Sequence, residues 1–408
     1  MKPDVLVVGA GIVGASIAYQ IARRSDLTVL ALDKGSGPAE GSTGASSSIS
    51  RCRYSHPDVV RLALHGQNAY RSWAEFTGLS DPRSRYERTG VAWMLGDGSV
   101  DSDLARLTGA GAVAEVFGPD ELRGRFPSVS DCIEPFDLTG EIAHSCRPIE
   151  RFLFEPDGGY ADPSGACADL VDATRQAGGE VRFGEAVSEV RSSGGRVSGV
   201  VTRRGERIDA GLVVNAAGPW CNQLNDLAGC RLRWTLKPTR VQVLYRDWPV
   251  SLGPLPVLID ASSGIYLRSD AAGSRVLFGS VLAADEEEEV DDPDDFRTGA
   301  DRAFQDIKIH ALHHRVPALE HRGTVAGIAG LYTVNREDVH PIVGPTDVDG
   351  WWVANGFSGH GFKLAPVIGS MIAQAVTGVV APFDTDVPMS LFGVGRDPIG
   401  VEAKNVLA

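Results

Sequence analysis

An α/β (α+β) fold is predicted by three observations. A strand, a glycine turn, a helix and a second strand open the chain; another buried strand runs into glycine at 212–220; and a long β-like region from 240 to 279 interrupts this pattern. The opening unit organises the rest. Val5-Leu-Val-Val8 is apolar and rich in β-branched residues, as suits a parallel strand covered on both faces. Gly9, Gly11 and Gly14 then match G-x-G-x-x-G. The first makes the tight turn, the second lets a pyrophosphate approach the backbone, and the third lets the helix pack on the strand. The helix runs to Arg24 with Ile17 and Ile21 on one stripe, and its start at Ile12 and Val13 offers unpaired N–H groups and a positive dipole end to phosphates. The second strand, Leu27–Leu32, ends in Asp33, which can accept from both ribose hydroxyls. This Rossmann-like order, within about thirty residues, predicts a bound dinucleotide.

The bulk numbers narrow the class. A chain of 408 residues with 43% hydrophobic and 23% charged residues has enough material for two or three domain-sized units of an ordinary globular protein. A net charge of −14 argues against a nucleic-acid partner. Much of it is local, since nine acids fall within residues 285–295, a run that reads as a solvated loop. The six cysteines, at 52, 132, 146, 167, 221 and 230, form no C-x-x-C pair, and no His pair has zinc spacing, so no metal site is expected. They read as reduced, mostly buried thiols of a cytoplasmic protein. The first strand leaves no room for a signal peptide, and no apolar run is long enough for a membrane span.

After Asp33 and Lys34 comes a Gly/Ser-rich stretch to Arg51, including Ser42, Thr43, Ala45 and Ser46, whose N–H groups and hydroxyls suit an anion site. A helix is expected over Pro57–Phe76, on Val60, Leu64, Tyr70 and Trp73. Residues from about 80 to 150 change character: Val91–Leu95 reads as a strand and Pro119–Pro127 as a short helix, the first part of an inserted domain. The nucleotide-binding pattern resumes at Gly158–Pro163, with a helix over Ala166–Ala177, strands at Gly178–Phe183 and Val187–Val190, and a hairpin around Arg203-Arg-Gly205. Arg240–Tyr245, Gly264–Arg268 and Arg275–Gly279 read as strands of a sheet placed over a ligand. A helix is expected over Phe296–Val316, and another over Leu364–Thr377.

Five segments together resemble one family: Val8–Gly14, Gly41-Ser-Thr-Gly-Ala-Ser46, Gly159-Tyr-Ala-Asp-Pro163, Val214-Asn-Ala-Ala-Gly-Pro-Trp220 and Gly356-Phe-Ser-Gly-His-Gly-Phe-Lys363. They resemble the FAD-dependent oxidoreductases of the D-amino-acid oxidase type (the DAO family), in the branch that holds sarcosine oxidase, the sarcosine oxidase β subunit and glycine oxidase. The resemblance covers nearly the whole chain. It implies a discontinuous FAD-binding domain (1–80, 150–235 and 325–385), a mostly antiparallel β substrate domain (81–149 and 236–324) that roofs the flavin, and a tail (386–408). It places Asp33 on the adenosine ribose, Ser42 and Thr43 on the pyrophosphate, and Val187 by the adenine. Ala216 and Gly218 line the cofactor, and Lys34, Ala45, Ser46, Trp220 and Phe362 complete that wall. Gly359-His360-Gly361 starts the last helix under the flavin pyrimidine, where a helix N-terminus stabilises developing negative charge; the backbone of His360 matters there more than its ring.

The resemblance also implies a substrate site. Arg51 and Lys363 match residues that contact a substrate carboxylate, and Tyr266 falls where related enzymes place a roof tyrosine. Taken alone, Arg51 also reads as a phosphate-binding or surface arginine, Lys363 as a solvated first-turn lysine, and Tyr266 as a core residue. Three departures qualify the match. Gly330 stands where sarcosine oxidase attaches its flavin through cysteine, so non-covalent FAD is expected. The lysine credited with oxygen activation falls near Leu277; Arg275, two residues away on the same strand face, is a candidate substitute. The arginine and histidine expected near the flavin ring, in the region 44–48, are absent, so sarcosine itself is not implied.

The implied activity is oxidation of the C–N bond of a primary or N-alkyl amino acid, with hydride passed to flavin and an imine that hydrolyses. Electrons then go to O2, giving peroxide, or to another acceptor, as in a dehydrogenase. A non-catalytic FAD-binding assembly protein is the alternative from another class. An NAD-dependent dehydrogenase would share the fingerprint but not Gly-His-Gly-Phe-Lys, and a flavin monooxygenase would carry a second Gly-Asp motif that this chain lacks.

Overall fold

The computed structural model describes residues 2–95, 99–135, 143–270, 272–401, 404 and 407. Positions 96–98 and 136–142 of the expected substrate domain, and 402, 403, 405, 406 and 408 of the expected tail, lie outside the described residues.

The strand Val5–Val8 lies inside a six-stranded sheet, between Val29–Leu32 and Leu212–Asn215. Glu180–Arg182 closes one edge, and Trp351–Asn355 and Ile342–Pro345 close the other. Every neighbouring pair is parallel except the last, which is antiparallel. The fingerprint helix, Ile12–Ala22, is buried at all 11 residues, so burial extends beyond the expected apolar stripe to the whole surface, Ser16 and Gln20 included. It is enclosed because the helices Pro163–Gln176 and Gly361–Thr377 both pack on it. Gly369 permits the second contact, since a Cβ there would lie 2.3 Å from Ser16 Oγ.

The helix expected over Pro57–Phe76 breaks at Ser72 (φ −111°, ψ 40°) into Pro57–Arg71 and Trp73–Thr77. Side-chain partners account for the break. Trp73 stacks on Tyr70 and Phe76 while its indole N–H donates to Asp169 at 2.9 Å. Tyr70 in turn stacks on Phe362, at the start of the last helix.

The second sheet has eight strands. Val325–Asn335 and Leu236–Asp247 pair antiparallel over most of their length, and Arg275–Ser280, Ile265–Ser269 and Val257–Asp260 follow. Val91–Met94, Phe152–Glu155 and Glu115–Phe117 complete it, with one parallel join, between Val257–Asp260 and Val91–Met94. The helix expected over Phe296–Val316 spans only Arg302–Arg315. Its expected first turns are instead tied to the sheet: Ala329 N–H donates to Thr298 O at 2.7 Å, and Gly299 bridges Ile328. The hairpin expected around 203–205 forms between Arg196–Thr202 and Arg207–Asp209. Among the described residues, no helix is long and apolar enough to cross a membrane.

Candidate active site

A cleft of about 500 Å³ opens at the C-terminal ends of the first two strands. Gly9, Gly11, Ile12, Val13, Asp33, Lys34, Ser42, Thr43, Ser46, Val187, Ala216, Gly218, Trp220, Gly359, Gly361 and Phe362 all line it, although they come from every part of the chain. Gly9 adopts φ +100°, and a Cβ there would lie 2.5 Å from Ala216 O, so only glycine makes this turn. Gly14 sits behind the wall, where a Cβ would meet Gly9 O at 1.8 Å. The Asp33 carboxylate is oriented by two backbone donors, Ala10 N–H at 2.7 Å and Gly35 N–H at 2.8 Å, one on each oxygen. Each oxygen keeps a second lone pair for a ribose hydroxyl. Thr43 Oγ1 accepts from Ile12 N–H at 3.0 Å, while Ser42 Oγ is buried with no hydrogen-bond partner. An unsatisfied hydroxyl beside a helix N-terminus suits a phosphate oxygen.

The acidic run is largely exposed, as a solvated loop is, and ion pairs anchor it. Asp285 pairs with Lys308 at 2.8 Å, Glu288 with Arg240 at 2.8 Å, and Glu289 with Lys237 at 3.1 Å. These pairs bind the segment across the cleft mouth, where Pro293, Asp294, Phe296 and Thr298 become wall residues. There Asp294 pairs with Lys34 and accepts from the Trp220 indole N–H at 3.1 Å, while Lys34 Nζ stands 3.8 Å from the Trp220 ring centre.

A small pocket of about 30 Å³ adjoins the cleft, and Ser46, Tyr332, Gly359 and Phe362 line both. Arg51, Lys363 and Tyr266 meet in this pocket. The Arg51 guanidinium lies over Tyr54 at 4.4 Å and Trp93 at 5.2 Å and donates to Arg53 O. Below it, the buried Glu155 carboxylate accepts from Cys52 N–H at 2.6 Å and the Trp93 indole at 2.7 Å. Lys363 is buried, and no carboxylate among the described residues lies within ion-pair distance of it. Burial first, and Arg51 second, hold its pKa well below the usual lysine range. Burial likewise lowers Arg51 and raises Tyr266 to about 12. The His360 ring lies outside the cleft wall. Its Nδ1 is 3.0 Å from Tyr54 OH and 3.4 Å from Lys363 Nζ.

Two sequence expectations change. Arg275 reaches neither cavity: it is exposed and paired with Asp270 at 3.2 Å, because it stands at the hairpin end of its strand. A buried cation, Arg268, stands directly across from Leu277; its Nε donates to Ser47 O at 2.7 Å, pinning a carbonyl of a pocket residue. Its i,i+2 spacing from Tyr266 was the available signal. Ala45 is not a cleft-wall residue. Its Cβ would stand 2.5 Å from a Cβ at position 330, so the close approach of these segments requires Gly330.

Residues 4–375 match the family model for FAD dependent oxidoreductases, DAO. The chain belongs to the DAO family. This DAO-family protein is 30% identical to the monomeric sarcosine oxidase of Streptomyces avermitilis, over 96% of its own length and 97% of that protein. It is 24% identical to FAD-dependent oxidoreductase domain-containing protein 1 of Xenopus laevis, over 92% and 79% of the two chains. Its fold is shared with L-proline dehydrogenase from P. horikoshii (TM-score 0.79, 22% identity, 96% and 97% covered). The glycine oxidase from Geobacillus kaustophilus shares it too (TM-score 0.77, 22% identity, 98% and 100% covered). The protein is thus an FAD-dependent oxidoreductase. The oriented Asp33 carboxylate, the unsatisfied Ser42 hydroxyl and the glycine-lined backbone fit that cofactor.

Proposed function

We propose that this DAO-family enzyme oxidises the C–N bond of a primary or N-alkyl amino acid, with the substrate carboxylate held between Arg51 and Lys363. One observation carries this reading: two buried cationic side chains, 312 positions apart in sequence, converge on one small pocket beside the cofactor cleft. A buried ammonium without a counter-ion is costly, and an anionic ligand removes that cost. Several relatives, among them a sarcosine oxidase and a dimethylglycine dehydrogenase, are named for small N-methyl amino acids.

Bound FAD supplies the hydride acceptor, and the protein's task is to position and shield. Ser42, Thr43 and the start of the fingerprint helix hold the pyrophosphate; Asp33 holds the ribose, with Val187 by the adenine. The cofactor is non-covalent, because Gly330 offers no nucleophile. Arg51 and Lys363 fix the carboxylate, and Tyr266 and Tyr332 close the pocket from the antiparallel sheet, so a C–H bond is held in one orientation. The amine is oxidised as the neutral base, and no protein base is required: His360 is held neutral by burial and by two neighbouring cations. The FAD-binding part comprises 1–80, 150–235 and 325–385, and the roof comprises 81–149 and 236–324.

Anaerobic titration of the yellow protein with a panel of amino acids and of the matching amines without a carboxylate tests the proposal. Flavin bleaching by amino acids alone is expected. Equal bleaching by the amines, or none by any amino acid, overturns it.

A further inference from the structure

Away from both cavities, the fold gathers three soft ligand groups that are scattered in the sequence. Cys132, His144 and His314 each place a donor atom within 4.8 Å of the other two. Cys132 Sγ lies 3.4 Å from a ring nitrogen of His144, Nε2. With metal–sulfur and metal–nitrogen bonds of about 2.3 and 2.0–2.1 Å, the sulfur–nitrogen edge of a tetrahedral site is about 3.6 Å, so this pair already stands at ligand spacing. The His144 and His314 rings meet edge to face, with centres 4.9 Å apart. None of the three lines the cofactor cleft or the substrate pocket.

The surrounding backbone explains the convergence. Ile133 N–H donates to Arg147 O at 2.8 Å, Ile149 N–H donates to Asp131 O at 2.7 Å, and Cys132 bridges Pro148. This short ladder returns the chain beside Cys132, where His144 meets its sulfur. The ladder is fastened to the last turn of the helix Arg302–Arg315, where Ser130 N–H donates to Arg315 O at 2.8 Å and the Arg315 guanidinium meets Asp260 at 2.7 Å, both fully buried. That turn carries His314. Its Nδ1 is 3.0 Å from Ser263 Oγ, the kind of outer contact that fixes a ligating imidazole and leaves Nε2 for the metal.

The geometry points to a Zn²⁺-type site formed by Cys132, His144 and His314, which ties Cys132 and His144 to the helix Arg302–Arg315 and leaves one coordination position to water. One thiolate and two neutral imidazoles match the softness of Zn²⁺, and binding releases the proton of the thiol. Sequence spacing concealed the site, because His314 lies 170 positions after His144.

The test uses the FAD-loaded protein, reduced with a phosphine and freed of metal. Titration with Co²⁺ should show one equivalent bound, with tetrahedral d–d bands to the red of the flavin absorption and thiolate-to-cobalt charge transfer in the ultraviolet. Zn²⁺ should erase both. Cys132→Ser and His314→Ala should abolish the bands. His144→Ala, at an exposed position, should do so with flavin content unchanged, which separates ligand loss from misfolding. Ser263→Ala should weaken binding about tenfold as a positioning change. Wild type that binds no more Co²⁺ than the His144→Ala variant overturns the proposal. So does a Cys132–Cys146 disulfide found by mass analysis of protein isolated without reductant.

Discussion

Lys363 Nζ lies 3.4 Å from Nδ1 of His360, three residues earlier, with both side chains buried next to Arg51. An ammonium has only donors, so with Lys363 charged Nδ1 is the lone-pair nitrogen and the ring proton sits on Nε2. His360 therefore aims the lysine instead of acting as an acid. Arg51→Ala or Lys363→Ala should raise the substrate concentration needed for flavin reduction by about tenfold to a hundredfold, the equivalent of roughly 1.5–3 kcal/mol for a charge-assisted hydrogen bond. His360→Leu should cost about tenfold at unchanged flavin content, and Lys363→Arg should restore only part of the loss. Stopped-flow reduction across substrate concentrations reads all four, and wild-type behaviour of the Lys363→Ala variant would remove the clamp.

The lowered pKa of Lys363 gives a signed pH dependence. A carboxylate beside it favours the ammonium, so ligand binding takes up a proton and affinity falls as pH rises through the depressed value. Calorimetry with a non-oxidisable carboxylate in two buffers of different ionisation enthalpy measures that uptake. Stability runs the other way. Below the depressed pKa both folded and unfolded states carry the proton and the burial cost is complete. Between it and the ordinary value of 10.5 the unfolded chain holds more protons, so stability rises with pH. Lys363→Met should therefore raise the melting temperature of the ligand-free protein, and the margin should shrink from pH 6 to pH 10. A constant margin would show that the pKa of the lysine is not depressed by burial.

At Gly330 the expectation concerns the cofactor bond. Acid precipitation should release all FAD to the supernatant. Gly330→Cys should not create a covalent enzyme. Its Cβ would stand 2.5 Å from that of Ala45, and overpacking of this kind costs about 1–3 kcal/mol. A lower melting temperature with fully extractable flavin is the expected pair of results; flavin retained by the precipitated chain contradicts it.

The contacts of Asp294 with Lys34 and Trp220 span the cleft mouth, yet the Lys34 and Asp294 side chains keep 38% and 56% of their exposure. Exposed pairs contribute about 0–1 kcal/mol, so Asp294→Ala should speed FAD release by no more than about fivefold. Fluorescence of FAD released on dilution measures it. A change of a hundredfold would mean that the strap as a whole, not this pair, is what the substitution disturbs.

The parts of the fold most legible in the sequence are those set by local rules. The glycine triplet at 9, 11 and 14, the apolar runs beside it and the Gly-His-Gly-Phe-Lys segment each impose backbone constraints that leave a residue pattern. Partners distant in sequence leave none. The acidic run reads as solvated and largely is, but nothing in it announces its anchors Lys34, Arg240 and Lys308. Arg275 shows the limit of strand alternation: the rule gives its face correctly, but it cannot tell that the strand ends there and that Asp270 of the turn captures the side chain. Arg268 lies deeper on that sheet and passed unnoticed for the same reason.

The enclosure of the fingerprint helix bears on how the chain is made. Ile12–Ala22 leaves the ribosome early, but its covering helix, Gly361–Thr377, follows more than three hundred residues later. At about 5–20 residues per second the delay is roughly 20–60 seconds. Throughout that interval a helix buried on every side in the fold lacks one of its native walls. The cofactor half therefore cannot mature as an N-terminal unit during synthesis. A nascent chain halted near residue 350 would hold every residue of the glycine turn and still lack a site able to retain a nucleotide, so early binding cannot guide folding, and the exposed helix is a natural substrate for chaperones that recognise apolar segments.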